Sequence, residues 1–323
     1  MSKVFLGGTC NNTNWREKII SQIKMDYFNP IVEDWTPECQ QIEMEEKENK
    51  CDVHLYVITK EMTGVFSIVE TIDSVHNKNV QTILHIIPDG FEESQLKSLQ
   101  ATVNLVNLRG GNAYIDNNIQ KSIDVINNLY EENKNLNKKN RQKELYFYFI
   151  LYHIIDQIRM EKNQTINDFN ESNNLGHLKI QKLLFFFITF SKNNKQKLLP
   201  IFNNYYVSPF GHIEADIKNI MLKKENIFFE FTAERIKIKN NPMNILISES
   251  ENLLSAIKKF LNDYSNIIDY TLLRLIEINH NYFTWMHYYK KAQSLGKFNH
   301  KVPIKDIIDE PLLRTAFFYN YYI

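Results

Sequence analysis

CDVHLYVITKEMTGVFSIVETID, residues 51–73, decides the fold. Its first nine residues are nearly all apolar or β-branched, the pattern of a strand covered on both faces in a parallel sheet. A Thr-Gly turn follows, and then helical spacing from Ser67 to Asn77. Strand, turn and crossover helix make half of a βαβ unit. Glu70 stands in that helix among small and apolar residues. Two readings of it are open. An acid near a helix start is favoured by the helix dipole, and an acid at a strand-to-helix corner can point into a pocket above the sheet.

Working outward, the same alternation repeats. Upstream, KVFLGG (3–8) reads as a short buried strand and NWREKIISQI (14–23) as a helix through Trp15, Ile19, Ile20 and Ile23. YFNPIVEDW (27–35) reads as a second strand, interrupted by Asn-Pro and ending in acids. TPECQQIEMEEKENK (36–50) opens with Thr-Pro, a helix-start signal, and is strongly acidic. Downstream, VQTILHIIP (80–88) is a strand and SQLKSLQATVNLV (94–106) a helix. Four strand–helix pairs predict an α/β domain, a parallel sheet with helices on both faces.

The character changes in NLYEENKNLNKKNRQKEL (128–145), charged, Asn-rich and without an apolar face. It reads as a linker or a solvated helix extension between a domain at 1–127 and a second, mainly helical domain at 146–323. In the latter, LYFYFILYHIIDQIRM (145–160) is apolar around much of its circumference, as a buried helix is. HLKIQKLLFFFITFSK (177–192), NLLSAIKKFLNDY (252–264) and IDYTLLRLIEINHNYFTWMHYYKKAQ (268–293) read as three further helices. NIFFEFTAERIKIK (226–239) alternates like a strand or hairpin.

Composition narrows the function. The 323 residues exceed one ordinary core, and 38 basic against 38 acidic residues argue against a whole-chain nucleic-acid binder while leaving local patches open. Cys10, Cys39 and Cys51 form neither a disulfide framework nor a metal-binding spacing, which points to a reducing compartment. No signal-peptide pattern or membrane-length apolar run is present, so a soluble, cytoplasmic protein is expected.

Ligands of a doubly wound sheet bind at the carboxyl ends of its strands. The residues falling there are Gly7, Gly8 and Thr9, then Glu33, Asp34 and Trp35, then Thr59 to Glu70 with Gly64 and Ser67. The Gly-Gly pair lacks the dinucleotide-binding glycine pattern and the lysine-serine pair of an NTPase loop. Trp15 and Trp35 read as packing residues, Arg16 as an exposed helix arginine rather than a phosphate ligand, and His54 and His85 as satisfied strand residues. Cys10 has no neighbouring histidine to activate it.

In combination, VFLGGT, NWREKI, YFNPIVEDW, CDVHLYVIT and MTGVFSIVE resemble the nucleoside 2-deoxyribosyltransferase-like family over roughly residues 3–115. The resemblance implies a flavodoxin-like sheet and cleavage or exchange of an N-glycosidic bond. It makes Glu70 the catalytic glutamate, Asp52 its supporting aspartate, and Asp34 or Glu33 the acid that binds the base. Asp52 also reads as a turn residue before its strand, and Asp34 and Glu33 as exposed loop acids. Breaking the bond to C1′ develops oxocarbenium character that a carboxylate stabilises or captures, while the departing base takes a proton. Ser67 is placed to bind a hydroxyl or phosphate at a helix N-terminus, and Gly7, Gly8, Thr9, Glu33 and Gly64 complete the substrate-binding set. The first strand carries Phe5 where the family often has a tyrosine, which favours hydrolysis of a nucleotide or NAD-like molecule over transfer.

In the helical half, Lys179, Gln181, Lys182 and Leu183, then Ser208-Pro209-Phe210-Gly211, then Trp285 resemble the Panacea domain, a helical module of antitoxins and phage-defence neighbourhoods, over roughly residues 145–315. The resemblance implies a protein partner bound through residues 146–323. The triple phenylalanine reads as core, the tail RTAFFYNYYI (314–323) as a segment needing burial, and His212 with Glu214 as too few ligands for a metal.

The leading expectation is an N-glycosidic bond hydrolase, acting as a toxin or antiphage effector under the control of its helical domain. It needs no cofactor, and it is expected to self-associate. A non-catalytic sensor of a nucleotide signal and an antitoxin-like binding module are the alternatives, and a nucleic-acid substrate remains open although the charge does not indicate one.

Overall fold

In a computed structural model of the protein, residues 2–32, 34, 36–223, 226–240, 247, 249–313 and 316 are described. Glu33, Trp35 and nearly all of the 314–323 tail therefore lie outside the described residues. The chain divides into two compact units, Met1–Asn137 and Lys138–Ile323.

The first unit is an α/β domain with a flavodoxin-like sheet. Strands β1 (Lys3–Gly8), β2 (Asp26–Phe28), β3 (Val53–Ile58), β4 (Gln81–Ile86) and β5 (Asn112–Ile115) form a wholly parallel sheet in the order β2-β1-β3-β4-β5. Strand alternation sorts its core into two layers. Val4, Leu6, Val53, Leu55 and Val57 face helices α1 (Trp15–Ile20) and α5 (Gln120–Glu161). Phe5, Tyr56, Ile58, Leu84 and Ile86 face α3 (Phe66–His76) and α4 (Glu93–Leu108). Helix α2 (Pro37–Asn49) lies on the second face, where the Lys47 ammonium stands 5.9 Å from the centre of the Phe5 ring.

Two differences from the sequence reading have local causes. The second strand stops at Phe28, just before Asn29-Pro30, because proline has no N–H for the ladder and holds its predecessor away from regular pairing. The fifth strand, NAYI, is too short for its alternation to register in sequence, and its pairing with β4 defines it.

Residues 128–145 are helix throughout, part of the 42-residue α5, in which positions 134–142 are all exposed. The boundary between the units falls inside that solvated stretch.

The second unit is mainly helical. It comprises the end of α5, then α6 (Ile166–Ser172), α7 (His177–Thr189), α8 (Lys192–Leu198), α9 (Ala215–Leu222), α10 (Ser250–Asp263), α11 (Leu272–His280), α12 (Phe283–Ser294) and α13 (Ile304–Asp309). Small sheets punctuate it: β6 (Tyr205–Ser208) pairs with β7 (Gly211–Glu214) and β10 (His300–Lys301), and β8 (Phe229–Phe231) with β9 (Ile236–Ile238). Phe185, Phe186 and Phe187 are wholly buried, as core residues. The single long helix expected over 268–293 is broken after His280, because the Glu310 carboxylate accepts the Phe283 and Thr284 N–H groups and starts a new helix there.

The segments quoted for the second resemblance meet around the β6–β7 hairpin. Gln181 exchanges two hydrogen bonds with the Glu214 backbone, Lys182 Nζ donates to the His212 carbonyl, and Trp285 Nε1 donates to the Ser208 carbonyl. His212 stacks on Phe185 with centroids 4.2 Å apart, its ring nitrogens engaged by Asn279 and Thr284. Glu214 accepts from Lys143 Nζ at 2.7 Å and caps α9 through Ile217 N–H. Both are occupied in holding the fold together.

Candidate active site

The chain leaves β1 for the edge strand β2, then returns past β1 to β3, so the direction of winding reverses between β1 and β3. At that reversal Gly7 pairs with Tyr56 and Gly8 with Val57. A side chain at Gly7 would meet the Phe5 and Tyr56 rings at 2.7 Å. Gly8 has φ +112°, and its Cβ would lie 2.1 Å from the Val57 carbonyl oxygen. The aromatic rings beside Gly7 and the backbone beside Gly8 thus demand both glycines, and their bare surface opens a cleft.

That cleft encloses about 500 Å³ between the end of β1 and the facing sides of α2 and α3. Gly7, Gly8, Ser67 and Glu70, four of the residues expected at a site, line it. Glu70 is the fifth residue of α3, beyond the first turn in which the helix dipole acts, so a helix-start role does not explain it. Its carboxylate lies 3.0 Å from Lys47 Nζ, and only 14% and 9% of the two side chains are exposed.

Lys47 is itself held in place. It is the buried residue of α2, and its carbonyl accepts His54 Nε2–H at 2.9 Å. Because a carbonyl only accepts, Nε2 carries the proton and Nδ1 accepts from the Ser74 hydroxyl at 2.9 Å. Ser74 Oγ in turn accepts from the Tyr56 hydroxyl at 2.8 Å. Burial lowers the His54 pKa to about 4, so the imidazole is neutral at physiological pH. A chain of four polar groups thus ties α2, β3 and α3 together under the cleft.

The remaining lining includes Cys10, Arg16, Gln40, Glu43, Met44, Glu48, Phe66 and Asp73. Burial, and next the charge of Glu70, raise the Glu43 pKa against the opposing pull of Lys47 and Arg16. Arg16 is buried rather than exposed. Its guanidinium donates to the carbonyls of Leu6, Gly8 and Thr9 at 3.0, 3.3 and 2.7 Å, which commits it to the β1 turn. The other residues singled out in the sequence lie elsewhere. Thr9 is buried, its hydroxyl accepting Thr59 N–H at 3.0 Å, and it stitches the ends of β1 and β3. Gly64 and Asp34 are exposed and line no part of the cleft. Asp52 is exposed at the amino-terminal end of β3, where Oδ1 accepts Lys3 N–H at 2.9 Å. The structure does not bring it to the cleft. Trp15 is 2% exposed and packs in the core.

Gln40, Glu43, Met44, Lys47 and Glu48 were missed. They recur at the i, i+3, i+4, i+7, i+8 spacing of one helix face, and that is the signal that would have found them. Among the described residues, no cluster of three or more His, Cys, Asp or Glu could hold a metal, and no helix is long and apolar enough to cross a membrane.

A parallel sheet with an acid-lined cleft at its winding reversal is an α/β domain whose cleft lies where ligands of doubly wound sheets bind. The family model described as nucleoside 2-deoxyribosyltransferase like matches residues 1–89, which contain every residue lining the cleft. Residues 1–89 are accordingly a nucleoside 2-deoxyribosyltransferase-like domain. No curated protein and no solved structure matches the chain.

Proposed function

We propose that the first unit hydrolyses the N-glycosidic bond of a nucleoside, nucleotide or related molecule, with Glu70 acting at C1′. The observation that carries the reading is Glu70 itself: recessed in a cleft inside the family-matched segment and oriented by a buried lysine. As the C1′–N bond lengthens, positive charge grows on the sugar, and Glu70 stabilises or captures it. The Lys47 ammonium fixes the carboxylate from one side, a task for which the resemblance implies a tyrosine where this chain has the wholly buried Phe5. Ser67, at the start of α3, is placed to bind a sugar hydroxyl or a phosphate.

The wider role follows from the helical unit. Its resemblance to antitoxin-associated modules supports a protein partner bound through residues 146–323 and an effector role in a toxin–antitoxin or antiphage setting. Exposed apolar side chains at the cleft mouth, Met44, Phe66 and Val69, support self-association. Phe5, which offers Glu70 no hydroxyl, favours a second reading in which the cleft binds a nucleotide signal without cleaving it.

Mass spectrometry of purified protein incubated with nucleosides, nucleotides and NAD decides between them. Free base released by wild type and lost at least ~100-fold in Glu70→Gln is the expected result. Tight binding of one compound by both proteins, with no release, would establish the sensor.

A further inference from the structure

The departing base needs a proton, and neither Asp34 nor Asp52 lines the cleft to give one. Glu43 does line it. It faces Glu70 across the cleft from α2, one turn before Lys47 on the same helix face. Lys47 has two carboxylates in its neighbourhood, Glu43 on its own helix and Glu70 on α3, and it pairs with Glu70. Glu43 is left half-buried, with no hydrogen bond or ion pair among the described residues. Two carboxyl groups in one cleft, one held by a cation and the other unpartnered, are the arrangement in which one works as carboxylate and the other as acid.

We propose that Glu43 is the general acid of this cleft, and hence that the substrate is a nucleoside or nucleotide with an uncharged base rather than a pyridinium such as NAD. The inference rests on the glycosidase reading of Glu70. In the first step the C1′–N bond breaks, its electron pair passes to the base, and the Glu43 carboxyl proton goes to a base nitrogen. Glu70 meanwhile stabilises or captures C1′. In the second step water adds its oxygen to C1′, Glu43 takes the water's proton, and Glu70 returns as carboxylate. The balance is nucleoside plus water to free base plus sugar, and both acids end as they began. Nicotinamide departs from NAD as a neutral molecule and needs no such proton, so an acid placed here serves substrates whose base would otherwise leave as an anion.

The raised pKa of Glu43 agrees with this role. The charged and titratable groups around it are Glu70 and Asp73 from α3, Arg16 from α1, Cys10 from the β1 turn, and Lys47 and Glu48 from its own helix. Burial and Glu70 push the proton on; Lys47 and Arg16 pull it off, and the first pair outweighs the second.

The test compares full-length wild type, Glu43→Gln, Glu43→Asp and Glu70→Gln. Their substrates are the common ribo- and deoxyribonucleosides, their 5′-monophosphates, 7-methylguanosine and NAD. The last two carry cationic bases that leave without protonation. Wild type is expected to cleave a neutral-base substrate. Glu43→Gln should lose ~100-fold or more on it, together with the alkaline limb of the kcat/KM profile, while Glu43→Asp keeps that limb. For any 7-methylguanosine cleavage kcat/KM, which reports bond breaking and not the later attack of water, should change less than ~3-fold, because a proton that is not needed contributes nothing to that step. Equal losses on both classes would make Glu43 structural and overturn the assignment, as would an unimpaired Glu43→Gln or a wild type that cleaves only the cationic compounds. An unimpaired Glu70→Gln, or a wild type that releases no base at all, would instead overturn the glycosidase reading and this inference with it.

Discussion

Lys47 and Lys182 are both buried lysines, and they show how differently one side chain can be employed. Lys47 faces a carboxylate, and removing either partner leaves the other charge in a poorly solvated place. Lys182 is wholly buried, and its ammonium has the His212 carbonyl as its partner among the described residues. Burial lowers its pKa from 10.5 to about 7. A lysine that holds its proton less tightly when folded costs stability wherever the unfolded chain would keep that proton. The cost is complete below about pH 7 and is relieved as the pH rises toward the unfolded value. Urea unfolding of wild type should therefore show stability rising from pH 7 to 9.5, by up to ~1.4 kcal/mol per unit from this group. Lys182→Met should remove that part of the slope and be no less stable at pH 7; an unchanged slope would show that the ammonium is solvated.

Elements differ in how plainly they announce themselves. Strands β1, β3 and β4 are buried on both faces, so their sequences are almost continuously apolar, and they were legible without a structure. β5 was not, because four residues carry too little pattern. Glu70 was legible for the opposite reason: a carboxylate in an otherwise apolar stretch has to be accounted for. Helix α2 hid the rest of the site. Its acids and lysines read as a solvated face, and most of its residues are in fact exposed. What distinguishes Glu43 and Lys47 from their neighbours is the helix across the cleft, which no local pattern encodes. Asp52 precedes its strand in sequence and in the structure alike, and six residues of strand set that end about 20 Å from the end where the cleft lies.

The hydrogen-bonded chain beneath α2 has a twin. On the other face His85 contacts the Asp116 carbonyl and Ser122 Oγ, both at 2.7 Å, and Ser122 contacts the Tyr114 hydroxyl at 2.7 Å. Ser74→Ala and Ser122→Ala each strand a buried imidazole and a buried phenol. Each should cost about 1–3 kcal/mol in chemical denaturation. Their effects on turnover should diverge, because only the Ser74 chain ends on Lys47. Activity assayed well below both melting temperatures should fall in Ser74→Ala and hold in Ser122→Ala. Equal activity in the two would mean that α2 is positioned by other contacts.

At the scale of the whole molecule the two-part organisation shows in composition, since the apolar α/β alternation gives way to a charged, Asn-rich run before the helical half. What sequence does not encode is where the apolar surface of each unit is exposed. In the first unit Val65, Phe66 and Val69 are 67%, 70% and 57% exposed, and Met44 is 59% exposed. Three of the four line the cleft mouth, Met44 on α2 and Phe66 and Val69 on α3, and Val65 directly precedes α3. Such residues are costly to leave in water at ~25 cal/mol per Å² of apolar surface, and a second copy seated there would cover them while shielding Glu70 from bulk solvent. Light scattering of the full chain should then report a dimer that Phe66→Glu converts to monomer. KM should rise in that variant while the far-UV spectrum stays the same. A wild type that is monomeric at all concentrations would leave the mouth open and place the closing of the cleft on the substrate itself.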